Sequence, residues 1–378
     1  MSAAYFAGAK RGKYFRTCAK VFSKVFTIYE GGENVVIRQL FEEQEEKLLS
    51  PYASFSKNAV RDREEEKCDV RTDYQRDRDR IVHSKSFRRL KDKTQVFLAA
   101  EGDHYRNRLT HTLEVAQLSR TIAKALRLNE ELTEAIGYGH DLGHTPFGHS
   151  GEDALDKALQ EIGGRFRFFH NEQSLRVVEK LEKNGHGLNL TKAVRDGIRN
   201  HGTSGNPATL EGKIVRLCDK IAYINHDIDD AIRAKVLKEE DLPGEYTNLL
   251  GHGVRERLNF MIHDIITHSQ GTGEIRQSPD VGAAMLGLRG FMFEQVYRSV
   301  WVKAEETKAK QMLKNLFFFY MDNWKLLPKE YARKIEEGAE PQELVVCDYI
   351  AGMTDHFAIS KFEELFVPKA WTVYDSQD

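Results

Sequence analysis

The chain has 378 residues, of which 40% are hydrophobic and 30% charged, and its formal net charge at pH 7 is −2. This is the composition of an ordinary globular protein, and so small a net charge argues against a protein that coats nucleic acid. Four scattered cysteines without a CxxC pair argue against a disulfide framework or a zinc knuckle. No apolar run approaches the roughly 18 residues that cross a bilayer, so we expect a cytoplasmic protein without a membrane partner.

Residues 1–36 differ from the rest of the chain, because they carry six Lys or Arg, only two Glu and several aromatic residues. We interpret them as a basic, poorly ordered extension. A targeting or membrane-surface segment is the alternative interpretation. Neither interpretation assigns these residues a function.

Helical periodicity dominates the remaining chain. His111, Val115, Leu118 and Ile122 lie at i, i+4, i+7 and i+11. This spacing predicts an amphipathic helix over His111–Leu126, with a histidine at its N-terminal end. Asn129 is placed to cap a helix that runs through Tyr138. Ser150 is placed to cap the next helix, with Asp153 in the capping-box position.

More helices are predicted downstream, separated by prolines that break them. They are Asn171–Lys183, Thr191–Arg199, Leu210–Ala234, Tyr246–His268, Val281–Asp322 (broken near Gly287–Gly290), Pro328–Glu337, Gln342–Met353 and Ser360–Leu365. The chain has no internal repeat and no low-complexity linker. We therefore predict an all-α fold, with a helical core over residues 37–270 and a C-terminal helical elaboration over residues 271–378 packed on that core.

The segment Gly139–His149, GHDLGHTPFGH, concentrates the chemistry of the chain. His140 and Asp141 offer a nitrogen and an oxygen to one divalent cation, although a histidine-rich surface loop is the alternative. His111 lies on the face that its helix buries, and is either a third ligand or a hydrogen-bonded core residue. A fourth ligand should come from a distant segment, and Asp219 is the best candidate.

Asp219, Tyr223 and Asp227 follow one another at i, i+4 and i+8, on the side of helix Leu210–Ala234 opposite its isoleucine stripe. Periodicity alone predicts that this second face is solvated. It becomes part of a site only if the helix is buried on both sides.

A second group of polar residues surrounds the histidine-rich segment and consists of His144, His149, Glu152 and His170. Imidazoles can neutralise phosphate charge, and an imidazole paired with a carboxylate can transfer a proton near neutral pH. His149 and Glu152 are three residues apart across a helix start, which suits such a pair. His201 is either a further site histidine or a histidine that faces a helix dipole.

The order His111, His140-Asp141, Asp219 matches the H…HD…D signature of the HD-domain metal-dependent phosphohydrolases. The blocks RDRDRIVHSKSFRRLKDKTQVF, GHDLGHTPFGHSGEDAL and EGKIVRLCDKIAYINHDIDD resemble the bacterial deoxyguanosinetriphosphate triphosphohydrolase-like proteins more closely. The likeness runs from about Ile37 to near the C-terminus. It implies that residues 37–270 form the HD-domain core.

The resemblance also implies roles for individual residues. Those assigned to the metal, expected to be Mn²⁺, Mg²⁺ or another divalent ion, are His111, His140, Asp141 and Asp219. Those assigned to catalysis are His149, Glu152, His144 and His170. Those assigned to substrate binding are Gln95, Arg108, Lys220, Tyr223 and Asp227.

The reaction implied by the resemblance is hydrolysis of a deoxynucleoside triphosphate (dNTP) at the α-phosphorus, giving deoxynucleoside and inorganic triphosphate. The enzyme would be a homo-oligomer, a tetramer or a hexamer, with nucleic acid as a secondary partner at most. The alternatives are an HD-domain phosphohydrolase of nucleoside monophosphates or alarmones, and a non-enzymatic regulator that binds nucleotides or single strands. The basic run Arg76–Lys93 is either a phosphate-binding surface or a solvated face with internal ion pairs.

Overall fold

The computed structural model describes residues 36–95, 106–297 and 300–369. These residues form helices and connecting loops without a sheet, and their one β contact is an isolated bridge between Thr94 and Asn107. The predicted all-α fold class is confirmed. The predicted N-terminal extension lies, apart from Val36, outside the described residues.

The helices are numbered α1 to α16 in chain order. They are α1 Ile37–Leu48, α2 Asp73–Val82, α3 Lys85–Arg89, α4 Arg108–Ala125, α5 Glu130–Gly139, α6 Gly148–Glu161, α7 His170–Arg176, α8 Lys192–Asn200, α9 Leu210–Arg233, α10 Gly244–Leu250, α11 Gly253–Ser269, α12 Pro279–Met292, α13 Val300–Asp322, α14 Lys329–Glu336, α15 Gln342–Ala351 and α16 Asp355–Phe366. Single π-helical turns extend α7 over Val177–Leu181 and α12 over Phe293–Tyr297.

Local capping explains where the central helices α4 and α5 begin. Asn107 accepts a hydrogen bond from the backbone N–H of Thr110, whose hydroxyl accepts one from the N–H of Asn107. The predicted cap of α5 is also present, because the Asn129 side chain accepts from the N–H groups of Glu131 and Leu132. These caps satisfy backbone donors that have no partner inside a helix.

The predicted start of α6 is wrong. This helix begins at Gly148 instead of after Ser150, and Phe147 precedes it in a left-handed conformation with no side-chain cap. Tertiary contacts decide this start: the N–H of Phe147 donates to Asp355, and the Thr145 hydroxyl donates to the carbonyl of Gly148. A local capping box is therefore not required here.

Two further helix boundaries differ from the prediction. The predicted helix Tyr246–His268 is divided into α10 and α11, because Gly251 and Gly253 have φ values of 107° and 76° that no α-helix contains. Gly287, in contrast, lies inside α12 and does not break it. A Cβ atom at Gly287 would lie 2.2 Å from the ring of Tyr246, so the glycine permits close packing of α10 on α12.

Two hydrophobic cores meet at the histidine-rich segment. The first core includes buried residues of α4, α5, α9 and α12, for example Val115, Ile136 and Ile221. The second core includes buried residues of α6, α13 and α15, for example Leu155 and Phe317. Because α5 belongs to the first core and α6 to the second, the loop that joins them lies where the two cores meet.

The C-terminal helices hold this loop through buried hydrogen bonds. The Nζ atom of Lys93, a group whose pKa burial lowers well below its usual value, donates to the carbonyl of Ala351, at 2.8 Å, and to the carbonyl of His144. Asp355 accepts from the backbone N–H of Thr94, at 2.8 Å, and from that of Phe147, at 3.0 Å. The position of His144 therefore depends on contacts from the far end of the chain.

The first three arginines of the basic run Arg76–Lys93 form ion pairs inside the protein. Arg76 and Arg80 pair with Glu65, and Arg78 pairs with Glu131. These contacts favour internal ion pairs in this part of the run, whereas Lys85, Arg88 and Lys91 are exposed.

We expect Lys93→Met to destabilise the protein. The side chain is 2% exposed, and its loss leaves two buried carbonyl groups without a donor, which costs about 1–3 kcal/mol for each group. Urea and thermal unfolding measure the change. Lys91→Met is the matched control, because that side chain is 64% exposed. Equal stability of the two variants would contradict this account of Lys93.

Candidate active site

A cavity of about 550 Å³ lies against the histidine-rich loop. Its lining residues come mostly from α4, α6, α7, α9, α12 and α13 and from the α5–α6 loop. Most of the residues predicted for the site line it, namely Gln95, Arg108, His111, Asp141, His144, His149, His170, Asp219, Lys220 and Tyr223. The volume is in the range of pockets that bind small organic ligands.

The four residues predicted as metal ligands converge at the wall of this cavity. The Nε2 atom of His111 lies 3.1 Å from Oδ1 of Asp219. The Nε2 atom of His140 lies 3.5 Å from Oδ1 of Asp141 and 3.7 Å from Oδ1 of Asp219. Donor atoms of His111, His140 and Asp141 lie within 4.8 Å of one another, so these three residues could hold one divalent cation, with Oδ1 of Asp219 beside the two histidines.

Buried hydrogen bonds orient these ligands. Nδ1 of His140 lies 2.7 Å from the carbonyl of Gly137 and must donate to it, which leaves the lone pair of Nε2 facing the site. This Nε2 atom is buried and has no hydrogen-bond partner among the described residues, as expected of a metal ligand. On the other side, Arg108 donates to Oδ2 of Asp141 at 2.8 Å. Burial alone would raise the pKa of Asp141, but His140, His144 and Arg108 hold it well below its usual range.

Helix α7 positions the loop that carries His140 and Asp141. The hydroxyl of Ser174 donates to the carbonyl of His140 at 2.6 Å and accepts from the N–H of Gly143 at 2.9 Å. A Cβ atom at Gly143 would lie 2.1 Å from the backbone nitrogen of Ser174. Only glycine therefore allows the loop to pack this closely on α7.

One carboxylate organises the imidazole cluster. Oε2 of Glu152 lies 3.0 Å from Nδ1 of His149 and 3.0 Å from Nδ1 of His170. His170 is stacked on His144, with ring centroids 4.0 Å apart. Burial would raise the pKa of Glu152, but the hydrogen bonds from the two histidines hold it well below its usual range. The predicted pair of His149 and Glu152 is present in this geometry, and His170 shares the same carboxylate.

Helix α9 is buried on both sides, which the periodicity of its sequence could not decide. Asp219, Lys220 and Tyr223 face the cavity, and the isoleucine stripe faces the first core. Asp227 is 1% exposed and does not line the cavity. It accepts a hydrogen bond from the hydroxyl of Tyr297, so it lies behind the cavity wall.

Asp227 should make stability depend on pH. Burial, the largest cause, raises its pKa from 3.8 to about 8. Between these values the folded protein holds a proton that the unfolded chain releases, so stability falls as the pH rises, by up to about 1.4 kcal/mol per pH unit.

Asp227→Asn removes this titration. The melting temperature of the variant should therefore rise relative to that of the unmodified protein as the pH increases from 5 to 8. Thermal melts across this range measure the difference, with the exposed Asp322→Asn as control. A difference that does not vary with pH would contradict the raised pKa.

Sequence reasoning missed the cations that the C-terminal half adds to the cavity. Arg289 of α12 and Lys303 and Lys310 of α13 line it, together with the aromatic ring of Tyr297. Lys310 also pairs with Asp153 at 3.0 Å. The i, i+7 spacing of the two lysines places them on one face of α13, but that pattern alone does not distinguish a site from a solvated face.

His201, whose role the sequence left open, lies beside the imidazole cluster of His144, His149 and His170. It ends α8, and its Nδ1 donates to the carbonyl of Ile198 at 2.7 Å. Its Nε2 lies 3.2 Å from Nε2 of His170, and its ring centroid is 5.0 Å from that of His140.

The comparisons with known proteins agree with this geometry. The HD domain family matches residues 108–224, and the phosphohydrolase-associated domain family matches residues 275–364. A deoxyguanosinetriphosphate triphosphohydrolase-like protein of Caldanaerobacter subterraneus subsp. tengcongensis is 57% identical over 336 residues, which is 89% of this chain and 97% of the relative. The chain belongs to the deoxyguanosinetriphosphate triphosphohydrolase-like family.

Other members of this family are also similar along most of the chain. The protein of Clostridium perfringens strain SM101 is 48% identical over 343 residues, covering 88% of this chain and 98% of the relative. That of Ralstonia pickettii is 39% identical over 375 residues, covering 85% and 95%. Membership of this family makes the protein an HD-domain phosphohydrolase, a hydrolase that binds a divalent metal. Along the described residues, no helix combines the length and the apolar character that a membrane crossing requires.

Proposed function

We propose that the protein hydrolyses deoxynucleoside triphosphates at the α-phosphorus, releasing deoxynucleoside and inorganic triphosphate, with Mn²⁺ or Mg²⁺ as cofactor. The observation that carries the proposal is the composition of one cavity. It combines a donor set for a divalent metal, an imidazole cluster on a shared carboxylate, and cations from α9, α12 and α13. The printed names of relatives that are up to 57% identical support the same substrate class.

His111, His140, Asp141 and Asp219 would hold the metal. The bound ion would withdraw charge from phosphate oxygens and so favour attack by water at phosphorus. Arg108 keeps Asp141 ionised and oriented for this task through its 2.8 Å hydrogen bond. Ser174 and Gly137 keep the His140 backbone and ring in place.

His149 is the residue we assign to proton transfer. Its side chain is 59% exposed, so its Nε2 atom can meet a ligand in the cavity while Nδ1 stays on Glu152. The ionised carboxylate stabilises the protonated imidazole, as in other carboxylate–histidine pairs. His149 can therefore take a proton from the attacking water or give one to the departing 5′-oxygen of the nucleoside.

The remaining walls suit the two ends of a dNTP. A nucleoside triphosphate carries about four negative charges, and Arg289, Lys303 and Lys310 line the same cavity as the predicted metal ligands, where they can offset that charge. Tyr223 lies at the cavity wall with its ring centroid 6.2 Å from that of His149. We assign it to the deoxyribose, where its ring would exclude a 2′-hydroxyl group. Gln95, Lys220 and, behind the wall, Asp227 are the other residues assigned to substrate recognition.

We further propose that the enzyme is a cytoplasmic homo-oligomer, a tetramer or a hexamer. Light scattering coupled to size-exclusion chromatography measures the subunit number.

Product analysis in ¹⁸O-water tests the proposed reaction. Each dNTP and, in parallel, nucleoside monophosphates and an alarmone are incubated with the protein and Mn²⁺ or Mg²⁺, and the products are separated by ion chromatography and identified by mass spectrometry. We expect inorganic triphosphate that carries the ¹⁸O label, since attack at the α-phosphorus places the new oxygen there. Orthophosphate from a nucleoside monophosphate, or pyrophosphate from an alarmone, would instead identify the alternative HD-domain activity and reject the dNTP proposal. GTP, which carries the 2′-hydroxyl group that dGTP lacks, is the matched control for the role of Tyr223. It should be hydrolysed more slowly than dGTP if the ring excludes that group.

A further inference from the structure

One carboxylate of the C-terminal half holds two segments that lead into the cavity. Asp355 is the first residue of α16, and its Oδ2 atom accepts from the backbone N–H of Thr94, at 2.8 Å, and from the hydroxyl group of the same residue. Its Oδ1 atom accepts from the backbone N–H of Phe147 at 3.0 Å. The two oxygens therefore bind residues that are 261 and 208 positions away in the chain.

Each of these segments carries a residue predicted for the site. Gln95 directly follows Thr94 and lines the cavity, and its Oε1 atom is buried with no hydrogen-bond partner among the described residues. His149 lies two residues after Phe147 and lines the same cavity. The position of Asp355 therefore bears on both residues at once, through their backbones.

Phe147 depends on this contact more than an ordinary loop residue would. Its φ of 60° and ψ of 27° lie in the left-handed region, which residues other than glycine rarely adopt. It also begins α6 without a side-chain cap. The hydrogen bond to Asp355 gives its N–H a partner in this conformation, and so fixes the direction in which α6 leaves the loop. His149, in the first turn of α6, takes its position from this direction.

A second contact joins the same two regions of the protein. The Nζ atom of Lys93 donates to the carbonyl of Ala351, at 2.8 Å, and to the carbonyl of His144. Ala351 is the last residue of α15 and lies four residues before Asp355. The turn between α15 and α16 is therefore bonded to the histidine-rich segment at two points.

We propose that Asp355 is a positioning residue, which sets the placement of His149 relative to Gln95 although it lies outside the cavity. The inference rests on the proposed function, which assigns these two residues to proton transfer and to substrate recognition. It also gives residues 275–364, which match the phosphohydrolase-associated domain family, a part in building the site. A catalytic group that moves by about 1 Å can lose about 10² in rate.

A double-mutant cycle on kcat tests this role. Asp355→Asn keeps the size of the side chain, but its amide nitrogen cannot accept from one of the two backbone N–H groups. We expect kcat to fall by about 10². The affinity for Mn²⁺ should not change, because the hydrogen bonds of Asp355 go to Thr94 and Phe147. In a His149→Ala background the same substitution should change kcat by no more than about twofold, because the group through which it acts is absent.

The matched control is Glu363→Gln, because Glu363 is exposed on the same helix, and it should leave kcat unchanged. Thermal melts show that each variant is folded. Unchanged kcat in folded Asp355→Asn, or an equal loss of kcat in the His149→Ala background, would overturn the proposal. An equal loss would mean that the carboxylate supports the fold in general.

Thr94→Val is a milder second variant, which carries the test if Asp355→Asn does not fold. It removes the hydroxyl group that donates to Asp355 and keeps the branched shape of the side chain. Because Gln95 is the next residue, KM should rise by up to about tenfold, whereas kcat should change less. An unchanged KM would remove Gln95 from the residues that Asp355 positions.

Hydrogen exchange separates failure of this inference from failure of the proposed function. In Asp355→Asn, peptides that contain Thr94 or Phe147 should exchange their amide hydrogens faster, whereas peptides of α5 should keep the rate of the unmodified protein. Faster exchange in a protein that hydrolyses no dNTP would reject the proposed reaction alone. Unchanged exchange and unchanged kcat in a protein that releases labelled triphosphate would reject the positioning role alone.

Discussion

Asp141→Ala is expected to abolish metal binding and turnover together. The substitution removes one oxygen donor from a set of four and leaves the guanidinium group of Arg108, which is 2% exposed, without its carboxylate partner. An uncompensated buried charge of this kind costs about 3–5 kcal/mol of stability. The positive charge of Arg108 would also repel a cation at the site. We therefore expect turnover to fall by more than about three orders of magnitude, since the reaction depends on the metal.

Calorimetric titration with Mn²⁺ and an assay of triphosphate release measure the two effects of Asp141→Ala on the same preparation. Asp322→Ala is the control, because that residue is exposed at the end of α13. Normal metal affinity in Asp141→Ala would remove Asp141 from the metal site. Normal turnover without bound metal would reject metal dependence itself.

Glu152→Gln is expected to lower kcat by about 10²–10⁴, while the predicted metal ligands stay in place. The neutral amide cannot stabilise protonated His149 or His170, although its carbonyl can still accept from the backbone N–H of His170. The pKa of Glu152 is held below its usual 4.5, so its ionised form stabilises the fold above that pH and this contribution is lost as the pH falls. The stability difference between the two proteins should therefore shrink in acid.

Steady-state kinetics between pH 6 and pH 8, and thermal melts from pH 8 down to pH 3, measure these effects of Glu152→Gln, because the stability contribution is lost only below about pH 4.5. Glu172→Gln is the matched control on α7, since Glu172 is exposed and pairs only with Arg199 in the described residues. We expect KM to change less than kcat, because the cations that we assign to the phosphates are unaltered. An unchanged kcat would show that the carboxylate takes no part in proton transfer.

Patterns in the sequence were sufficient for the fold class and for most of the helices. The apolar residues of α4 and α9 recur with a period of about 3.6 residues. In a helix this spacing places them on one face, so the sequence predicts which face is buried. Asn129 predicts the start of α5, since the cap is formed by backbone groups two and three residues away. These features depend on interactions within a few residues of chain.

The chemistry of His140 and Asp141 could also be predicted from the sequence, because two adjacent ligand-type residues in a glycine-rich loop have few structural roles. Their partners His111 and Asp219 came from spacing and from the family resemblance. The structure groups His111 with His140 and Asp141, and places Oδ1 of Asp219 3.7 Å from Nε2 of His140. Their role as ligands stays a prediction until metal binding is measured.

Contacts between distant segments decided the rest. The start of α6 follows from the hydrogen bond of Phe147 to Asp355, which is 208 residues away in the chain. The burial of both faces of α9, and the cations that α12 and α13 add to the cavity, follow from how the two cores pack. Residues far apart in the chain share no periodicity that would reveal such contacts. The sequence by itself therefore determined the helices and the candidate donors, and only the tertiary structure decided which side chains share one cavity.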